Sequence, residues 1–256
     1  MNNPSWILTT LAAGALLGSG LAHAGPMSFT LSAVGTQGNM TAPQAAEAAF
    51  LAGLLPSSVV TEDFERFVSG TQDSPFDTAV GRFEMIVPGV GGLCESGRNT
   101  VGDCTDGVAI LDAANSPYAG RFNTTGVGTT AAGSQWLDSF DAQEFRFTPN
   151  ANVNAIGFYI TDPNDSGGRF DFLLASGVAS LSFEDVFGAA LRNGRAYYVT
   201  FTSSEDITGL TIFSNDRDDG FGIDDVTVAR VPEPGSMVLL GLGVLGATLA
   251  RRRRPV

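Results

Sequence analysis

Residues 143–174 read QEFRFTPNANVNAIGFYITDPNDSGGRFDFLL, and this stretch decides the fold class. Apolar side chains recur at every second position in three runs: Phe145/Phe147, Ile156/Phe158/Ile160 and Phe170/Phe172/Leu174. Successive side chains of a β-strand point to opposite faces, so a period of two predicts strands that bury one face. Turn-forming stretches at 148–152 and 162–168 separate the runs. The stretch therefore predicts three strands joined by short turns.

The same alternation continues on both sides of this stretch. The predicted strands are 59–67, 82–87, 108–111, 119–123, 134–138, 143–148, 153–161, 169–175, 178–184, 195–202, 207–213 and 221–229. No helical pattern interrupts them, and 43% of the residues are hydrophobic, which is enough for a sizeable core. We therefore predict an all-β domain over residues 58–230, an antiparallel β-sandwich of jelly-roll-like type.

One short helix is predicted in the N-terminal segment, residues 25–57. Residues 41–55 read TAPQAAEAAFLAGLL, in which alanine dominates the interior. Ala46, Ala49 and Phe50 give the helix an apolar stripe. We expect this stripe to pack on the edge or end of a sheet.

The N-terminus has the pattern of a secretory signal peptide over residues 1–24. An apolar run at 7–22 ends in the sequence AHA at 22–24, which is an A-x-A site for signal peptidase. This pattern predicts cleavage between Ala24 and Gly25. The first six residues contain no Lys or Arg, so an uncleaved N-terminal membrane anchor is the alternative.

The C-terminal segment, residues 231–256, combines three features in a fixed order. These are Val231-Pro232-Glu233-Pro234, an apolar run at 237–250, and the cluster of Arg251, Arg252, Arg253 and Arg254. The run is shorter than the roughly 20 residues of an ordinary membrane span, and the arginines favour the cytoplasmic side. We expect a C-terminal transmembrane helix that holds the exported body at the outer face of the inner membrane.

This order of features closely resembles the PEP-CTERM sorting signal. The resemblance implies that exosortase, a membrane protease-transpeptidase, cuts near the PEP motif and that the protein then reaches the cell surface or extracellular matrix. The family is typical of Gram-negative bacteria that make exopolysaccharide and biofilm. An unprocessed tail anchor is the alternative.

The body is also similar to a recurrent PEP-CTERM β-sandwich type. The matching pieces are TEDFE (61–65), GRFNTTG (120–126), AIGFYITD (155–162) and DGFGIDDVTVARVPEP (219–234). This resemblance supports the fold and the export of the protein, and it implies no activity.

The charge balance limits the classes of function. The chain of 256 residues contains no Lys and one His, His23, which lies in the predicted signal peptide. Residues 25–231 carry 10 Arg and 26 Asp or Glu, a net charge of −16. Such a body repels phosphate backbones, so we expect no nucleic-acid partner. Without His or Lys, His-based triads, His-ligated zinc and Schiff-base lysines are excluded, which leaves mainly carboxylate chemistry.

Two cysteines, Cys94 and Cys104, flank the residues ESGRNTVGD. In an oxidising compartment, cysteines this close predict a disulfide that closes a Gly-rich loop. A redox function is the less favoured alternative, because the spacing differs from C-x-x-C.

A structural calcium site is predicted where the last strand meets the first. Val226 and Val228 should face the core, and strict alternation points Asp224 the same way. A carboxylate that points inward is costly unless it is paired or binds a metal. Carboxylates from both strands would supply oxygen ligands for Ca²⁺, as in many carbohydrate-binding sandwiches. The proposed ligands are Glu62, Asp63, Glu65, Asp224 and Asp225. The alternative is that the two aspartates pair with Arg or cap a turn.

Glycan binding would require exposed aromatic rings that stack on sugars. Trp136 and Tyr118 are the candidates, although an aromatic residue in a strand more often belongs to the core. No catalytic residue is assigned.

Together these observations predict an exported, non-enzymatic surface or matrix protein that associates with exopolysaccharide. Its expected partners are signal peptidase, exosortase and, before processing, the inner membrane. The alternatives are a carboxylate-based carbohydrate-active enzyme and a self-assembling structural subunit of the surface. Exposed, long, apolar edge strands would favour the subunit.

Overall fold

The computed structural model describes residues 27–36, 39–89, 108–112, 135–163, 167–188, 194–217 and 220–231. Its strands are β1 (Met27–Leu31), β2 (Val60–Glu62), β3 (Gln72–Asp73), β4 (Phe76–Asp77), β5 (Gly81–Val87), β6 (Val108–Leu111), β7 (Trp136–Asp138), β8 (Glu144–Pro149), β9 (Val153–Thr161), β10 (Gly168–Leu174), β11 (Gly177–Ser182), β12 (Ala196–Ser214) and β13 (Gly222–Ala229). The helices are α1 (Thr41–Ala52) and a single turn, α2 (Phe183–Phe187), and Pro56–Ser58 form a 3₁₀ turn. The prediction of an all-β fold with one short N-terminal helix is confirmed.

A single long strand, β12, connects two sheets. Its first half pairs with β1 and β9, and its second half pairs with β10 and β8. Sheet I therefore runs β1, β12, β9, β13, with β2 and β7 both paired to β13 and with β6 and β3 beyond β7. Sheet II runs β11, β10, β12, β8, β5, β4. All of these pairs are antiparallel.

The core lies between the two sheets and is rich in phenylalanine. On β9, Ile156, Phe158 and Ile160 face this core. Phe172 of sheet II lies 4.6 Å from Phe201 of sheet I, centroid to centroid. Contacts between rings across the interior establish an antiparallel β-sandwich, as the alternation of the sequence predicts.

Helix α1 covers the outer face of sheet I. Phe50 packs against Tyr159 and Tyr198, which project from the face opposite the core. The backbone of Gly157 makes this close approach possible, because a Cβ there would lie 2.5 Å from the Phe50 ring. The helix therefore packs on a face of the sheet, and the expectation of an edge or end is wrong.

Three differences from the predicted elements concern short or bent strands. The predicted strands 195–202 and 207–213 form one continuous strand, β12, which carries both halves of the sandwich. The predicted strand 59–67 is regular only over Val60–Glu62, and Phe64 then adopts a left-handed backbone with φ 58°. Strands β1, β3 and β4 were not predicted from the sequence.

Several predicted elements lie outside the described residues. These are the signal peptide at 1–24, the strand at 119–123, and the apolar segment at 237–250 with the arginine cluster. Within the described ranges, no helix combines the length and the apolar character that a membrane crossing requires.

Candidate functional site

A buried hydrogen bond fixes α1 to sheet I. The Tyr159 hydroxyl donates to Glu47 Oε2 at 2.7 Å, and only 6% of Glu47 is exposed. Burial raises the pKa of Glu47, and the hydrogen bond from Tyr159 opposes this rise. Burial and the adjacent Glu47 raise the pKa of Tyr159 strongly, so its hydroxyl remains a donor. Glu47 is therefore the member of the pair that titrates.

Tyr198 lies beside this pair on the same face. Its ring centroid is 4.8 Å from that of Tyr159, in an edge-to-face arrangement. Burial raises the pKa of Tyr198, and the negative charge of Glu47 acts in the same direction. Its hydroxyl is buried and has no hydrogen-bond partner of good geometry among the described residues. The outer face of sheet I thus brings the Glu47 carboxyl and two tyrosine rings together beneath α1.

A groove of about 330 Å³ opens next to this pair, between α1 and the strands β1 and β12. Ala46, Ala49 and Phe50 form its helical wall. The threonines of the floor are Thr30, Thr200 and Thr202. Val231, the last described residue, also lines the groove. The groove therefore lies beside the end of the described body.

The backbone of Arg230 is fixed to the segment that follows α1. The Leu55 amide donates to the Arg230 carbonyl at 3.0 Å, and the Arg230 amide donates to Ser58 Oγ at 2.9 Å. The Ser58 hydroxyl in turn donates to the Leu55 carbonyl at 2.8 Å. These bonds continue the pairing of the chain beyond the end of β13.

Side chains also fix this junction, the point at Arg230 and Val231 where the C-terminal segment leaves the sandwich. Arg230 Nη1 donates to Asp206 Oδ1 at 2.9 Å and to the Asn152 carbonyl at 3.1 Å. The Val231 amide donates to Asn154 Oδ1 at 2.8 Å. The position and direction of the chain at Val231 are thus set by the body, and Pro232 follows immediately.

A β-bulge changes the direction of Asp224. Relative to β9, strand β13 carries one extra residue just after Asp224, and Asp225 adopts a left-handed backbone with φ 46°. Val226 and Val228 face the core, as predicted. Asp224 lies opposite Tyr159 on the outer face, where its Oδ1 accepts the Asp225 amide at 2.8 Å. The prediction of an inward Asp224 is wrong, because alternation does not continue through a bulge.

The acids after β2 have local partners. Buried Glu62 pairs with Arg66 at 2.9 Å and accepts the Ala79 amide at 2.9 Å. Asp63 is exposed and accepts the Glu65 amide at 3.2 Å. Glu65 Oε1 accepts the Gln135 amide at 2.9 Å.

These positions bear on the predicted calcium site. Glu62 pairs in register with Val226, on the core side of β13, whereas Asp224 lies on the other face. Within the described part of the chain, no three His, Cys, Asp or Glu side chains are placed together to hold a metal ion. The five acids do not form one ligand set there, and calcium binding stays a prediction.

Trp136 is not a surface residue. It is 1% exposed, and its indole N–H donates to Asp138 Oδ2 at 3.1 Å. The prediction of an exposed stacking ring at Trp136 is therefore wrong, since β7 lies inside sheet I. The other glycan candidate, Tyr118, and the predicted disulfide partners Cys94 and Cys104 lie outside the described residues.

Fold and junction together define a class: a β-sandwich body that is hydrogen-bonded as far as Val231 and is followed in the sequence by a C-terminal tail. The model of the PEP-CTERM protein-sorting motif matches residues 230–254 of this tail. The chain thus carries a PEP-CTERM sorting motif, as the resemblance implies. The motif marks an exported protein that exosortase processes and that is sorted to the cell surface.

Other comparisons add little. No curated protein matches the chain. A crystal structure of the K2 cleaved adhesin domain of Lys-gingipain is 13% identical, with a TM-score of 0.29, over 67% of this chain and 99% of that domain. The crystal structure of the Agl-KA catalytic domain is 12% identical, with a TM-score of 0.29, over 66% of this chain and 30% of that one. Likenesses this distant carry no argument about function.

Two residues of the site, Glu47 and Arg230, were not predicted from the sequence. Glu47 lies four residues after Pro43, within the apolar stripe of α1, and a lone acid in such a stripe could have indicated a buried partner. Arg230 was assigned to the sandwich without a function. Its partner Asp206 lies 24 residues earlier, and no local pattern connects the two.

Proposed function

We propose that this protein is a non-enzymatic component of the cell surface or extracellular matrix that associates with exopolysaccharide. The observation that carries the proposal is the position of the sorting motif. The motif begins at Arg230, and the hydrogen bonds of the body extend to Val231. The motif match therefore begins within the hydrogen-bonded part of the sandwich, and the cargo of the sorting reaction is the whole sandwich.

The chemistry of the body supports a scaffold. Three of its buried acids have structural partners: Glu62 binds Arg66 and backbone amides, Glu47 binds Tyr159, and Asp138 binds Trp136. A net charge of −16 over residues 25–231 favours solubility and weakens contacts with other acidic molecules. Binding to a neutral glycan through hydroxyl and amide groups is compatible with this charge.

The test uses the exported protein and exopolysaccharide purified from the cells that produce it. The proposal predicts that the protein sediments with the polysaccharide and that the number of reducing ends stays constant. New reducing ends would instead favour the carbohydrate-active enzyme. A protein that stays in the supernatant without affecting the polymer would contradict both.

Self-assembly is a second candidate, and the edges of the sheets favour it. On one side, the sheets end in the two-residue strands β3 and β4, where Asp73, Pro75 and Asp77 discourage further pairing. On the other side they end in β1 and β11, which contain no charged residue. Leu173 and Val178 pair across β10 and β11 and are 51% and 62% exposed.

Sedimentation velocity at increasing protein concentration tests this candidate. A charge placed on the β11 edge, Val178→Lys, should shift oligomers to monomers. Val68→Lys is the matched control, since Val68 is 77% exposed and lies outside the strands. A wild-type protein that remains monomeric, or equal behaviour of the two variants, would contradict assembly through β11.

A further inference from the structure

We propose that the groove beneath α1 binds a neutral sugar unit of the exopolysaccharide. This inference rests on the proposed function, because it names the part of the body that holds the polymer and the class of sugar that fits there. The features that carry it are a row of hydroxyl groups, an apolar wall with an aromatic ring, and a lining without charge.

The floor of the groove presents hydroxyl groups from two paired strands. In the pairing of β1 with β12, Thr30 lies opposite Thr200. Ser28 lies opposite Thr202, and their hydroxyl oxygens are 2.7 Å apart, in a hydrogen bond. Because Phe201 faces the core, Thr200 and Thr202 on either side of it project from the outer face of sheet I. Residues opposite one another share a face, so the hydroxyl groups of both strands line up beside α1.

Some of these hydroxyl groups are available to a ligand. Among the described residues, the Thr30 and Thr200 side chains have no hydrogen-bond partner. Tyr198 lines the same groove, and its buried hydroxyl has no partner of good geometry within the described ranges. A hydroxyl both donates and accepts. An occupant rich in hydroxyl groups satisfies such a surface, whereas a purely apolar occupant would bury these groups without hydrogen bonds.

The helical wall supplies the apolar contact that a sugar ring needs. Half-buried Phe50 lies in this wall with Ala46 and Ala49. A sugar ring has apolar C–H faces and an edge of hydroxyl groups, so it packs a face on an aromatic ring and directs its edge to polar side chains. The groove has the same division between wall and floor. Its volume of about 330 Å³, at the lower end of the range for ligand pockets, suits a short unit of a polymer.

The charge pattern favours a neutral unit over an acidic one. None of the described residues that line the groove is charged. The outer face of sheet II differs, because it carries the ion pairs Arg146–Glu144 and Arg169–Asp171. A carboxylate in the groove would approach a body of net charge −16 with no cation among the described lining residues to bind it. The groove is therefore suited to uncharged sugars.

The test titrates the exported protein with the neutral and the acidic fractions of the exopolysaccharide, separated by anion exchange, and follows binding by affinity electrophoresis. Thr30→Val combined with Thr200→Val removes two hydroxyl groups of the floor and nearly keeps the shape of the side chains. The matched control combines Thr148→Val with Thr211→Val. These two threonines lie on β8 and β12 and project from the outer face of sheet II. Melting temperatures report whether each variant folds.

A second pair of variants fills the groove and leaves its hydroxyl groups in place. Ala49→Trp places a large ring at the helical wall. Ala48→Trp is the matched control, because Ala48 is also exposed on α1 and does not line the groove.

We expect the wild-type protein to bind the neutral fraction more tightly than the acidic one. The double threonine variant should bind the neutral fraction about tenfold more weakly, as the loss of two hydrogen bonds between neutral groups predicts. Ala49→Trp should weaken binding at least as much, and both controls should bind like the wild type.

The outcomes separate this inference from the proposed function. Equal binding by the wild type and both groove variants, or a preference for the acidic fraction, would overturn the inference and leave the association with exopolysaccharide intact. A change of oligomeric state in Ala49→Trp with unchanged binding would assign the groove to a second copy of the chain instead. A wild-type protein that binds neither fraction would contradict the proposed function as well.

Discussion

The two faces of sheet I are built on different principles. The inner face of β9 presents Ile156, Phe158 and Ile160 to a core of apolar side chains. The outer face of the same strand presents Tyr159 to Glu47 of α1 through one buried hydrogen bond. The inner face stabilises the fold through buried area, which is nondirectional. The outer face positions the helix through directional contacts, and the junction at Arg230 lies at the end of that helix.

The largest predicted effect is on the inner face. Phe158→Ala should lower the free energy of unfolding by about 3–5 kcal/mol, because it removes a ring that is 2% exposed and leaves a cavity. Leu173→Ala, at an exposed position of β10, should change it by less than about 0.5 kcal/mol. Urea unfolding of the purified exported body measures both. Similar losses for the two variants would contradict the assignment of the core.

A smaller effect is predicted on the outer face. Tyr159→Phe removes the donor to Glu47 and leaves a buried carboxyl without that partner, at a cost of about 1–3 kcal/mol. Tyr197→Phe is the control in the neighbouring strand, since the described residues offer the Tyr197 hydroxyl no hydrogen bond, and it should be nearly neutral. Urea unfolding distinguishes the variants, and equal stabilities would mean that the Glu47 contact contributes nothing.

The pH dependence of stability isolates Glu47. Its pKa in the folded protein is raised above the ordinary value of 4.5 by burial. Its contribution to stability is therefore fully present below pH 4.5 and is lost as the pH rises through the folded value. Relative to Glu47→Gln, the wild-type protein should lose stability as the pH rises above 4.5, measured as the difference in melting temperature between the two proteins. A constant difference, or one of opposite sign, would contradict a buried carboxyl with a raised pKa.

The smallest effect concerns the ion pair of the junction. Arg230 and Asp206 are 40% and 34% exposed in their side chains, so Asp206→Asn should cost no more than about 1 kcal/mol. The loss should shrink at high salt, since ions screen exposed pairs. Unfolding at low and high ionic strength measures this. A loss as large as that of Tyr159→Phe would place the junction among the buried contacts.

Alternation in the sequence predicted the bounds of the strands that bury one apolar face. Strands β8, β9 and β10 end within one residue of their predicted bounds, because one face of each is packed with large apolar residues. Alternation gave the wrong face for Asp224, because one extra residue in β13 puts Asp224 and Val226 on opposite faces of the sheet. A bulge depends on the pairing partner, and alternation within one strand carries no information about it.

The contacts of the site were harder to predict because they join distant parts of the chain. Glu47 and Tyr159 are 112 residues apart, and Arg230 meets Ser58 across 172 residues. The sorting motif, in contrast, is a local pattern of Pro-Glu-Pro, an apolar run and arginines, and it was identified from residues 231–256 alone. Local patterns were predictable, and buried polar contacts required the fold.

Mass spectrometry of the mature chain in surface, membrane and cytosolic fractions tests the central claim most directly. An exported and sorted protein should begin at Gly25, end near Pro234 without Arg251 to Arg254, and occur in the surface or extracellular fraction. An intact chain in the cytosol, with Met1 and the terminal arginines still present, would contradict the account.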